Sequence, residues 1–218
     1  MKIRNTEINP WRVLVLTGVV LAIAFITVQV SHIPDDVIVE IPQRQLRVLE
    51  DQQKTLNLSL EFGFDPLIVQ VTRQLSSIAF KQNACKCATW RFVKSEDDLA
   101  YLLLSIIAIE SRGNPRAINV PNGPTSGIGL TQLVLSTARE YDRGVTQEEL
   151  MTVPKHMNIA VRHFVDLLER YQGNHWLAIL AWNRGIGAVE RSLALGNSPE
   201  NGYGMLVLSE AALRNAGQ

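Results

Sequence analysis

Residues 95–117 read SEDDLAYLLLSIIAIESRGNPRA. Ser95 and Asp98 have the spacing of a capping box, and Glu96 to Asp98 place negative charge where the positive end of a helix dipole favours it. From Leu99 to Ile109 the run is apolar almost all the way round, the mark of a helix buried on every side. Gly113, with Pro115 two residues on, makes a stop. The pattern predicts a helix from about Glu96 to Arg112 at the centre of the core, with Glu110 delivered at its end.

Working outward, the helical pattern holds on both sides. Pro66 can open a helix through LIVQVTRQLSSIAF, since proline at the first helical position gives up no needed hydrogen bond. Beyond a loop with Gly123, Pro124, Gly127 and Gly129, Leu130 to Tyr141 reads as a shorter helix. Val161, Phe164, Val165, Leu168 and Tyr171 recur at three- and four-residue steps, so Asn158 to Tyr171 is expected to be amphipathic and to stop near Gly173. Shorter helices are expected at His175 to Trp182 and Gly187 to Leu195. No run alternates as a strand does, so the fold class is all-α.

The chain has 218 residues, enough for one compact domain and a tail. Its formal net charge is zero; Lys2, Arg4 and Arg12 against Glu7 give residues 1–12 a charge of +2 and leave −2 for the rest. That balance argues against a nucleic-acid-binding surface. Val13 to Val30 reads VLVLTGVVLAIAFITVQV, eighteen residues without a charge, about the length of a membrane-spanning helix. A cleavable signal peptide is the main competitor, but no small-x-small site follows in QVSHIPDD, and the run is longer than a signal usually carries. Basic residues before the span and Asp35 and Asp36 after it orient the N-terminus to the cytoplasm. The expected organisation is a cytoplasmic tail over 1–12, a transmembrane anchor over 13–30, a stalk or linker over 31–60, where leucines are too sparse to define a core face, and a catalytic domain over 61–218.

Cys85 and Cys87 are the only cysteines. A bridge across one intervening residue is strained, and two thiols without a nearby histidine make a poor zinc site, so a reducible local bridge or free thiols are the readings left. The histidines, at 32, 156, 163 and 175, show no metal-ligand spacing, and His163, on the amphipathic helix, is expected to be a surface or boundary residue. Neither a metal nor a cofactor is implied.

Glu110 is the residue with chemistry in it. On periodicity alone a solvated glutamate in the last turn is the blander reading, yet a negative charge at the negative end of a helix is unfavourable, which makes it an odd structural choice. Partial desolvation would raise its pKa and make it a proton donor near neutral pH, as the acid of a glycosidase must be.

Three segments then stand in order: ESRGNPRA from Glu110, GLTQL at 129–133 and AWNRGIGAVER at 181–191. They resemble the ordered signatures of the soluble-lytic-transglycosylase-like (SLT) family, approximately ES-x-x-NP-x-A, GLMQ and AYN-x-G-x-G-x-V, over roughly residues 95 to 210. The resemblance implies a lysozyme-like helical fold whose cleft holds a peptidoglycan glycan strand. It also implies cleavage of the β-1,4 bond between N-acetylmuramic acid and N-acetylglucosamine with a 1,6-anhydro product. Glu110 matches the family's catalytic glutamate, and one carboxylate would serve both steps. Gln132 would line the cleft, Asn183 would orient Glu110 or the substrate's acetamido group, Tyr203 would stand near the acid, and Ser111 follows the glutamate as usual.

Two positions depart from the pattern. Thr131 replaces the methionine of GLMQ, and Trp182 replaces the tyrosine of AYN, which keeps an aromatic wall for packing or sugar binding and loses the phenol. Two other readings remain. A hydrolase would need a second carboxylate, for which Asp142, Glu148 and Glu149 are the candidates. A glycan-binding component of a secretion, conjugation or phage-entry apparatus would have little use for a buried acid. The expected location is the inner membrane with the catalytic part in the periplasm, or a virion membrane if the gene belongs to a phage.

Overall fold

The computed structural model describes residues 43–83, 93–119 and 126–215. The anchor expected over 13–30 and the two cysteines lie outside the described residues. Among those described, no helix is long and apolar enough to cross a membrane.

The helix expected from SEDDLAYLLLSIIAIE forms over Glu96–Glu110. Its capping box is closed in both directions: the Asp98 N–H donates to Ser95 Oγ at 3.1 Å and the Ser95 N–H to Asp98 Oδ2 at 2.9 Å. Leu99 to Leu104, Ile106 and Ile107 are all buried, and Ser105, buried with them, satisfies its hydroxyl on the Tyr101 carbonyl at 2.8 Å. The helix ends at Glu110 because Ser111 caps it and Arg112 and Gly113 turn to positive φ, 55° and 77°. At Gly113 a Cβ would stand 2.7 Å from the Phe64 ring, so glycine is required there for space as well as for conformation.

We number the helices in chain order: α1 Gln43–Phe62, α2 Pro66–Gln82, α3 Glu96–Glu110, α4 Leu135–Tyr141, α5 Gln147–Leu150, α6 Val153–Arg170, α7 His175–Arg184, α8 Ile186–Ala194 and α9 Tyr203–Asn215. Helix α3 packs between α2 and α9; α2 also packs on α6, and α7 joins α6, α8 and α9. The domain is mostly helical, as the apolar patterning predicts. Helix α2 starts where Pro66 was expected to start it, with Asp65 accepting from the Leu67 N–H at 2.8 Å.

The stretch expected to be a stalk up to residue 60 is helical from Gln43, and its last two turns enter the core through Thr55, Leu58, Ser59 and Phe62. Phe62 then stacks in a tilted cluster with Phe64 and Tyr101, at centroid distances of 5.4 and 6.2 Å. The turn between α1 and α2 thus supports the far end of α3 through the contact of Phe64 with Gly113.

Several boundaries differ from the expectation. Three two-residue strands, β1 Ile118–Asn119, β2 Gly127–Ile128 and β3 Leu133–Val134, form an antiparallel sheet in that order, pairing Ile118 with Ile128 and Ile128 with Leu133. Two residues are too few to alternate, so these strands leave no period in the sequence. They also take up the start of the helix expected from Leu130, which begins at Leu135 instead. Helix α6 starts at Val153, five residues before the expected Asn158, with proline in its first turn. Helices α5 and α9 were not expected, although Thr146 and Glu149 form a full capping box for α5.

Candidate active site

Glu110 occupies the last turn of α3, where the buried helix meets the surface, and it is only partly exposed. Loss of water there raises its pKa above the usual carboxylate range; a hydrogen bond from Tyr203 pulls the other way and offsets only part of the shift. The Tyr203 hydroxyl donates to Glu110 Oε1 at 2.6 Å across 93 residues of chain. Burial and the neighbouring carboxylate push the phenol far above its ordinary pKa, so it remains a donor over the working range.

Tyr203 is buried at the first turn of α9, and the loop before it is tied to the end of α7. Asn201 accepts the Tyr203 N–H on Oδ1 at 3.2 Å and donates from Nδ2 to Asn183 Oδ1 at 2.8 Å. Arg184 donates from Nη1 to the Pro199 carbonyl. Glu200 Oε1 accepts from the Asn201 N–H at 3.0 Å. Asn183 therefore reaches Glu110 by way of Asn201 and Tyr203, holding in place the loop that presents the phenol. Its Oδ1 is used as the acceptor of that bond, and its Nδ2 is a donor.

The other residues singled out from sequence take more structural places. Ser111 caps α3, its Oγ donating to the Ile107 carbonyl at 3.3 Å. Trp182 is half-buried, donates from Nε1 to the Thr131 carbonyl at 3.3 Å, and packs against His163 and Phe164 with centroids 5.0 and 5.9 Å away. His163, in the middle of α6, is half-buried between core and surface; burial lowers its pKa to about 4 and its Nδ1 meets the Tyr141 hydroxyl at 3.1 Å. Gln132 has φ 54° and turns its Nε2 back on the carbonyls of Gly129 at 2.8 Å and Ala117 at 3.2 Å. Its Oε1 is buried with no hydrogen-bond partner. The amide thus ties the turn between β2 and β3 to the residue before β1, with its own acceptor shut away from solvent.

The three candidate second carboxylates lie together around α5. Asp142 is bound to Lys155 at 2.9 Å and held below the usual carboxylate range by that bond. Glu149 closes the α5 capping box, and the Thr146 N–H it accepts lowers its pKa. Among the described residues, no group of histidine, cysteine, aspartate or glutamate side chains is placed to hold a metal ion.

Asn201 and Arg184 were not anticipated from the sequence. The only signal available was local: Asn201 followed by Gly202, a turn pair, two residues before a tyrosine already singled out.

Residues 93–201, half of the chain, match a family model described as the transglycosylase SLT domain. Among curated proteins none matches.

Proposed function

Since this chain belongs to the transglycosylase SLT domain family, we propose that it is a lytic transglycosylase cutting the β-1,4 bond between N-acetylmuramic acid and N-acetylglucosamine, with Glu110 as both acid and base. The hydrogen bond from Tyr203 to Glu110 carries the reading. Because the phenol occupies Oε1, a proton on the carboxyl group sits on Oε2, from which it can pass to the glycosidic oxygen. The C1–O bond breaks with its electron pair on that oxygen, and the substrate's acetamido carbonyl supports the charge left at C1. The Glu110 carboxylate then takes the C6 hydroxyl proton as O6 bonds to C1, closing a 1,6-anhydro ring and restoring the acid. Desolvation favours the protonated state needed first, and the Tyr203 donor stabilises the anion formed midway.

A hydrolase would need a second carboxylate free to activate water. Asp142 and Glu149 are engaged with Lys155 and Thr146, which leaves Glu148, exposed on α5, as the candidate a hydrolase would have to use. We extend the proposal to location. Residues 13–30 anchor the chain in the inner membrane, or in a virion membrane for a phage protein, and the enzyme works on the periplasmic side. The support is the uncharged run with basic residues before it. An anchored enzyme of this kind would open the wall beside a membrane machine such as a secretion or phage-entry complex.

The test is mass spectrometry of purified peptidoglycan digested with the full chain in detergent, beside Glu110→Gln. Anhydro-muropeptides from the first and not the second are the expected result. Reducing-end products would mean hydrolysis. Wall binding without products from either protein would mean a binding component.

A further inference from the structure

Tyr203 must hold one direction for its hydroxyl to meet Glu110, yet it stands at the very start of α9, where a helix has no preceding turn to steady it. The backbone here carries three successive N–H groups, at Asn201, Gly202 and Tyr203, and side chains take all three. Asn201 Oδ1 accepts the last of them. Glu200 Oε1 alone accepts the other two, the Asn201 N–H at 3.0 Å and the Gly202 N–H beside it. One carboxylate oxygen thus gathers both amides at the positive end of the helix, where negative charge is favoured.

The rest of Glu200 is fixed as well. Its own N–H donates to Ser198 Oγ at 3.2 Å, and the carbonyl before it, of Pro199, takes Arg184 from the end of α7. Its second oxygen, Oε2, is buried without a hydrogen-bond partner. That oxygen is lodged against the second residue of α9: a Cβ on Gly204 would stand 3.3 Å from it and 3.1 Å from the Trp176 ring. Glycine at 204 therefore lets the carboxylate and the indole both close on the helix. Gly202, at φ 88°, supplies the left-handed turn that brings its N–H back to Glu200. Burying a carboxylate oxygen without a donor is unfavourable, so the surroundings impose this placement.

We propose that Glu200 is a positioning residue for the acid: by fixing the Asn201 and Gly202 amides it sets the direction from which the Tyr203 hydroxyl reaches Glu110. Without the side chain, water can satisfy both amides but holds neither in one direction, so the fold stands while the phenol loosens. Burial and the Tyr203 bond are the two influences on the titration of Glu110, and only the second passes through this loop. Loosening it weakens a bond that favours the anion, and the Glu110 pKa rises.

The proposal rests on the transglycosylase reading. The test follows kcat and KM against pH for the full chain in detergent, acting on soluble uncrosslinked peptidoglycan strands. Glu200→Ala, Glu200→Gln and Tyr203→Phe are compared singly, and Glu200→Ala is also combined with Tyr203→Phe. Glu200→Ala is expected to lower kcat about tenfold, to leave KM in place and to move the basic limb of kcat/KM to higher pH. Glu200→Gln keeps an acceptor for the two amides and should restore most of kcat and return the limb. Added to Tyr203→Phe, Glu200→Ala should cost less than about twofold more, since the phenol through which it acts is gone.

A limb that moves to lower pH in both Glu200 variants would mean that Glu200 acts on Glu110 through its charge, and overturns the proposal. So does a limb that stays put in folded Glu200→Ala, a glutamine that restores nothing, a loss confined to KM, or losses that multiply in the double variant. A parent that releases no muropeptides would sink the transglycosylase reading and this proposal with it. An active parent beside an equally active Glu200→Ala removes only the role of Glu200.

Discussion

A carboxyl group that must keep a proton near neutral pH has to be denied water without being denied a partner, and Glu110 meets both conditions at the end of α3. Glu110→Gln is expected to lower turnover by roughly a thousandfold or more, read as the rate of muropeptide release. The same change should stabilise the fold. A glutamate whose folded pKa is raised contributes stability below its unfolded pKa and loses it as pH rises through the folded value, so at pH 7 it is a burden that glutamine lacks. Exposure of the group weakens the effect, and the expected gain in Tm is roughly 1–3 °C at pH 7, vanishing toward pH 4. Tyr203→Phe removes a donor that favours the anion. The basic limb of kcat/KM should therefore move to higher pH, and a limb that stays put would show that Tyr203 does not act on Glu110. The place of Glu110 at the end of a buried helix could be read from sequence, because that helix is apolar all round. Asn201 and Arg184 could not, since they act through exposed contacts between loop and helix end that no periodicity records.

At the scale of single elements, the sequence announces a helix where local chemistry starts it and hides one where tertiary contacts decide. The Ser95 and Asp98 box was legible and is observed; Ser95→Ala should cost about 1 kcal/mol in a denaturation experiment. The start of α4 was not legible, because Gln132 in a left-handed turn and a two-residue strand occupy positions that a propensity reading assigns to helix. The end of α3 is the most demanding of these places. Gly113→Ala meets both a positive φ and the Phe64 ring, so it should destabilise by about 1–3 kcal/mol. It should also lower activity at temperatures where the protein is still folded, because the turn that moves is the one next to Glu110.

Across the whole molecule, the central position of α3 followed from its composition, whereas the use of α1 did not. Leu58 and Phe62 lie in a segment whose Leu46, Leu49 and Leu60 are exposed, so its sequence carries too little apolar signal to distinguish a spacer from a helix docked by its last two turns. Stability against acid is also a property of the whole. His156 is folded in the neutral form, with its pKa depressed to about 4, so its contribution is present above the unfolded value near 6.5 and is lost as pH falls from there through about 4. Thermal denaturation followed from pH 7 to pH 4 should show a decline that His156→Leu flattens, from a lower starting stability.

The bond between Tyr203 and Glu110 joins the end of α3 to α9, the last of the described helices. During synthesis the acid emerges long before the phenol, and the loop that aims the phenol is anchored only once α7 and α9 have both been made. If the proposed activity holds, an unfinished chain is therefore expected to leave intact the wall that the finished form would cut, a safeguard supplied by the order of translation alone. Chains released after Asn201 and assayed on peptidoglycan should yield no fragments, and cutting by such a chain would show that the safeguard does not exist.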